Sequence, residues 1–101
     1  MNEIIGSAFN PADYSVAIVD FWADWCMPCK MLMPTLTKLS GEISEVTFLK
    51  ANAEENRELA QQYGISSIPA LLVFKNGQIV NKLVGLQNES KIREALTKAL
   101  A

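Results

Sequence analysis

The sequence predicts an α/β fold, a mixed central β-sheet flanked by helices on both faces, and three observations predict it. Apolar runs of strand length alternate with stretches of helical periodicity. One of these runs, Val16 to Trp22, is apolar almost throughout, as expected of a central strand covered on both faces. Asn76-Gly77, set between two further apolar runs, marks a hairpin, because both central residues of that turn need positive φ. The chain has 101 residues, of which 50% are hydrophobic and 20% charged, the composition of an ordinary globular protein. That length fits one domain spanning 1–101 and suffices for a real core without staples.

Taken in order, Glu3-Ile4-Ile5 is a weak strand candidate. Asn10-Pro11-Ala12-Asp13-Tyr14 offers a capping residue followed by proline at the first helical position, so a short helix or turn is expected there. Val16 to Trp22 is the core strand. From Met27 a helix is marked by Leu32, Leu36, Leu39 and Ile43, whose spacings of four, three and four draw one apolar stripe to face the sheet. Pro34 lies inside it, removes a hydrogen bond and is expected to kink it. Val46 to Lys50 reads as the next strand, parallel because a helical crossover leads to it. Glu54 to Tyr63 reads as a second helix with acidic residues in its first turn, an apolar face of Leu59, Ala60 and Tyr63, and Gly64 as its stop. Leu71 to Phe74 and Ile79 to Val84 are the antiparallel hairpin strands. Asn88 to Leu100 closes the chain as a helix with Asn88 as cap and Ile92, Ala95, Leu96, Ala99 and Leu100 on one face.

A formal charge of −2 gives no basic field for nucleic acid or anionic lipid, so neither is an expected partner. The N-terminal residues lack the basic start and apolar block of a secretory signal, and no apolar run reaches about 18 residues. A soluble, cytoplasmic protein is expected.

The stretch with chemistry is Trp25-Cys26-Met27-Pro28-Cys29-Lys30, which holds the two cysteines and follows directly on the core strand. Residues i and i+3 on a first helical turn face the same way and are close enough to join, so the pair can cycle between dithiol and disulfide. Pro28 is compatible with a helix opening at Cys26 or Met27, whose unpaired N–H groups favour a thiolate on Cys26. Cys26 is expected to be exposed at that opening, with Cys29 one turn in and directed toward the sheet. Three other readings compete, the plainest being that the pair is there by chance. A structural disulfide closing so small a ring contributes only about 2 kcal/mol, against nearly 5 for a loop of about 100 residues. A zinc half-site lacks further ligands, because the chain has no histidine and no third cysteine, and no metal is expected. Alternating strands and helices around a Cys-x-x-Cys favour redox chemistry, and its place at the carboxyl end of the core strand is where open α/β sheets carry their sites.

Over nearly its whole length, Ile4 to Leu100, the sequence resembles the thioredoxin family. The matching residues are Val19-Asp20-Phe21-Trp22-Ala23-Asp24-Trp25-Cys26, then Pro28-Cys29-Lys30, Pro34, Lys50, Tyr63-Gly64-Ile65, Ile68-Pro69, Phe74-Lys75-Asn76-Gly77 and Val84-Gly85. The resemblance implies a thioredoxin fold and a protein thiol-disulfide oxidoreductase, a disulfide reductase and electron carrier with Cys26 as nucleophile and Cys29 as resolving thiol. It implies protein disulfides as substrates, a thioredoxin reductase as electron donor, a redox-active disulfide with no bound cofactor, and a monomer. Asp20 by pattern alone is either a strand-end residue reaching solvent or a buried carboxylate whose charge is costly. The resemblance makes it the proton acceptor for Cys29, with Lys50 on the neighbouring strand as charge partner. It further implies a cis bond at Ile68-Pro69 facing the cysteines, and a substrate-binding rim of Trp25, Met27, Pro28, Ile68, Pro69, Gly85 and Leu86 around the reactive sulfur.

Three features depart from the family pattern. Met27 stands where thioredoxins usually carry glycine, Ala70 where a hydroxyl residue is common, and the segment before the core strand is shorter. Two rival functions are a thioredoxin-fold binding module and a dedicated oxidant or isomerase. The combination of Cys26, Cys29, Asp20 and Pro69 favours a catalyst over a binding module. The lack of a histidine between the cysteines disfavours a strong oxidant.

Overall fold

A computed structural model of the chain describes residues 1–4 and 9–101. Among them, five strands form one sheet: β1 (Asn2–Glu3), β2 (Val16–Trp22), β3 (Thr47–Asn52), β4 (Ala70–Lys75) and β5 (Gln78–Val84), in the spatial order β1-β3-β2-β4-β5. β3 runs parallel to both β1 and β2, β4 antiparallel to β2, and β5 antiparallel to β4. The sheet is therefore mixed and β2 is its centre, as its almost wholly apolar run predicts. Three α-helices accompany it, α1 (Met27–Glu42), α2 (Arg57–Gln62) and α3 (Glu89–Leu100), with a 3-10 turn at Pro11–Asp13 capped by the Asn10 side chain.

Side-chain alternation along β2 divides the core in two. Val16 and Ile18 join Leu32, Leu36 and Leu39 of α1 and Ile92, Ala95, Leu96 and Ala99 of α3 on one face. Ala17, Val19 and Phe21 join Ala60 of α2 on the other, where Leu59, Tyr63, Phe9 and Tyr14 also pack. Helices thus cover both faces. On the solvent side, Lys38 of α1 pairs with Glu89 of α3 at 2.9 Å, and Glu42 with Arg93 at 2.6 Å, linking the two helices.

The hairpin is as expected, with Asn76 at φ 50° and Gly77 at φ 86°. The first strand candidate is shifted: β1 ends at Glu3, Ile4 adds one more bond by donating its N–H to the Lys50 carbonyl at 2.8 Å, and Ile5 lies outside the described residues. β3 runs on to Asn52 because β2 keeps pairing with it as far as Trp22.

The second helix is shorter than its sequence suggests. The Asn52 side chain accepts from the backbone N–H groups of Glu54 and Glu55, at 2.9 and 3.3 Å, and holds that segment in a turn. The helix opens only at Arg57, so Glu54 and Glu55 precede it and Glu58 is the acidic residue of its first turn. Gly64, at φ 65°, ends it as expected. At the other end of the chain, Leu100 turns to solvent and does not share the buried stripe of α3.

Candidate active site

The cysteines sit where β2 gives way to α1. Cys26 occupies the N-cap position with extended backbone, Met27 and Pro28 open the first turn, and the Cys29 N–H donates to the Cys26 sulfur at 3.2 Å. Proline fits there because a first-turn residue has no intrahelical acceptor for an N–H. The two sulfurs are joined, with 5.3 Å between the Cα atoms. The expected contrast in exposure is absent in this oxidised form: Cys26 is 3% exposed and Cys29 2%. What distinguishes them is position. Cys26 caps the helix and takes an orphan N–H, and Cys29 lies within the first turn.

Ala23, Cys26 and Cys29 form a small apolar cluster against which Trp22 and Ile68 pack. The Ile68-Pro69 bond is cis, and it brings the segment before β4 against the disulfide. Gly85, at φ 88°, donates its N–H to the Pro69 carbonyl at 2.8 Å, which seats the end of β5 beside that segment. Around the disulfide, Trp25 is 68% exposed, Met27 64% and Leu86 48%, and Pro28 is exposed too. These apolar side chains are open to solvent and do not belong to the core.

Two further residues lie beside Met27 and Trp25 without a sequence signal strong enough to single them out. Met31, 59% exposed, follows Met27 by one helical turn, the i, i+4 spacing that puts both thioethers on one strip of α1. Arg57 lines a groove of about 300 Å³ with Trp25, Ala53, Ala60, Ile65 and Ile68. The i, i+4 rule reveals the first. The second depends on α2 folding back beside Trp25, which is a tertiary matter.

Asp20 is buried, 1% exposed, and neither carboxylate oxygen has a hydrogen-bond partner among the described residues. The strand-end reading therefore fails and the buried-carboxylate reading holds. By alternation Asp20 follows Val16 and Ile18 onto the face that α1 covers, the same helix that carries the buried Cys29. Burial pushes its carboxyl up to about 7, with Lys50 pulling it down and Glu3 pushing it further up. Lys50 stands directly across from Asp20 in the β2–β3 register. Its ammonium nevertheless pairs with Glu3, at 3.5 Å, and lies 5.3 Å from the centre of the Trp22 ring. Lys50 acts on Asp20 across space, without an ion pair. A recess of about 280 Å³, lined by Trp22, Cys29, Lys30 and Met33, opens beside the inner cysteine.

No group of three or more metal-ligating side chains exists among the described residues. A dithiol–disulfide couple at the opening of a helix is a two-electron device for thiol-disulfide exchange.

Comparison with known proteins agrees. The sequence model of the thioredoxin family matches residues 8–98. The chain is 45% identical over 86 residues to the thioredoxin of Staphylococcus epidermidis, covering 84% of this chain and 83% of that one. It is 42% identical over 105 aligned positions to the thioredoxin of Rickettsia prowazekii, covering 99% of each. Among solved structures, Plasmodium falciparum thioredoxin superposes with a TM-score of 0.90 at 31% identity, over 97% of this chain and 98% of the other. The oxidised mitochondrial thioredoxin 3 of Saccharomyces cerevisiae superposes with a TM-score of 0.91 at 27% identity, over 97% and 94%. With its fold, its disulfide and its sequence all of one kind, the chain belongs to the thioredoxin family and is a protein thiol-disulfide oxidoreductase.

Proposed function

We propose that this chain is a disulfide reductase and electron carrier acting as a single-domain monomer in the cytoplasm, on protein disulfides, and reduced in turn by a thioredoxin reductase. The observation that carries the reading is the placement of the cysteine pair: Cys26 caps α1 and accepts the Cys29 N–H, while the unpaired Asp20 lies on the sheet face beneath the same helix.

In the reduced chain the Cys26 thiolate attacks a substrate disulfide. A bond forms between the Cys26 sulfur and one substrate sulfur, and the other substrate sulfur leaves as a thiolate. Cys29 then attacks the Cys26 sulfur, the internal disulfide forms, and the second substrate sulfur leaves. The substrate gains two electrons and the chain loses two. Cys29 must lose its proton to attack, and Asp20 is the acceptor, its burial giving it the basicity of a group near pH 7. The recess beside Cys29 is large enough to hold water against the resolving sulfur.

Trp25, Met27, Pro28, Ile68, Pro69, Gly85 and Leu86 receive an extended substrate segment against an apolar surface, and Met27 with Met31 gives that surface adaptable thioether contacts. The deciding experiment is reduction of a model protein disulfide with NADPH and a thioredoxin reductase as electron source. Turnover that stops in Cys26→Ser supports the reading. A chain that binds the substrate without reducing it is a binding module instead.

A further inference from the structure

Three side chains on three neighbouring strands form a row across the sheet. Glu3 of β1 stands opposite Lys50 of β3, and Lys50 stands opposite Asp20 of β2. All three are on the α1 face: Ile4 belongs to the core under α2, so Glu3 points the other way, and Lys50 shares its side with Phe48. The cation in the middle thus has a carboxylate on either hand. It pairs with the outer one, at 3.5 Å, and with the Trp22 ring, and leaves the inner one without a partner among the described residues.

We propose that Glu3 is a positioning residue for the exchange reaction: it draws the Lys50 ammonium outward, so that Asp20 stays basic enough to take the Cys29 proton. The inference rests on the reading of Asp20 as that acceptor. A carboxylate paired directly with an ammonium holds its negative charge too well to serve as a base near neutral pH. A carboxylate buried with no nearby cation stays mostly protonated there and has little free base to offer. Glu3 sets the balance between the two by competing for the same cation. β4 places Leu71 opposite Asp20, and the core beneath α1 and α3 is apolar, so in the oxidised chain Lys50 and Glu3 are the charges that act on it, and in the reduced chain the Cys26 and Cys29 thiols join them as titrating groups.

The test is an NMR titration of the Asp20 carboxyl carbon in the oxidised full-length chain, beside the pH dependence of mixed-disulfide resolution in the reduced one. Glu3→Gln lowers the Asp20 midpoint by roughly half a pH unit, the size expected of a half-exposed charge pair, and the resolution limb moves with it. Glu3→Lys moves both further in the same direction, and Lys50→Gln moves them upward. Amide shifts of Asn2 to Ile4 confirm that β1 stays paired in each variant. An Asp20 midpoint unmoved in both Glu3 variants overturns the inference. A resolution limb that survives in Asp20→Asn overturns the proton-acceptor reading itself, and with it the purpose given to Glu3.

Discussion

Asp20 concentrates the energetic tension of the molecule in one side chain. Its carboxyl group titrates about 7 in the fold, against 3.8 ordinarily, with burial as the leading cause. A group whose folded value is raised favours the fold fully below its unfolded value, and the benefit is lost as pH climbs from about 4 through 7. Stability measured by urea unfolding should therefore fall over that window in the native chain, and Asp20→Asn should not show the fall. At pH 8 the variant should be the more stable by about 2–4 kcal/mol, since it no longer holds a buried charge. Stopped-flow measurement should find its product release slowed on the order of 10²-fold with initial attack little changed. Equal slowing of both steps, or a loss of stability, would contradict the role. At this scale the sequence was half legible. A carboxylate within an apolar run was visible as an anomaly, but whether it reached solvent depended on α1 lying over it.

Among the elements, the first turn of α1 is where the proposed order of the two sulfurs is tested. Cys29→Ser should accumulate a covalent complex of Cys26 with substrate proteins, seen on a non-reducing gel and cleared by a small thiol. Cys26→Ser should trap far less. The reverse pattern would show the roles to be exchanged. The hairpin offers a purely structural counterpart. Gly77 sits at φ 86°, and an added Cβ would come within 3.2 Å of the Ala12 backbone, so Gly77→Ala should destabilise the fold by about 1–2 kcal/mol without altering exchange chemistry. A differential melting experiment together with the reductase assay separates the two effects. Elements with local signals were readable: Asn10 and Asn88 as caps, Leu32-Leu36-Leu39 as a stripe, Asn76-Gly77 as a turn. The start of α2 was not, because its acidic stretch looks like a first helical turn until the Asn52 side chain captures two of its N–H groups. Exposure of Cys26 was misjudged for a similar reason, as Ile68 closes over the disulfide from a segment more than 40 residues later.

On the scale of the whole molecule, the site is assembled by the strand order β1-β3-β2-β4-β5. That order sets Lys50 beside Asp20 and lays the cis-proline segment against the cysteines, and no local pattern encodes it. The family motifs carried that knowledge into the sequence reading; periodicity alone reached the elements and their type. The two core clusters, one under α1 and α3 and one under α2, hold the fold without involving the disulfide as a staple. The disulfide joins residues only three apart. Reducing it should lower the unfolding free energy measured in urea by no more than about 2 kcal/mol, with an unchanged far-ultraviolet circular dichroism spectrum. A reduced chain that lost its helices would mean that the bond supports the scaffold. Because scaffold and covalent link are separate, the same molecule can surrender and recover its one cross-link at every turnover while its architecture stands still. Its working part behaves as a latch mounted on a frame, and the life of the frame is not counted in openings of the latch.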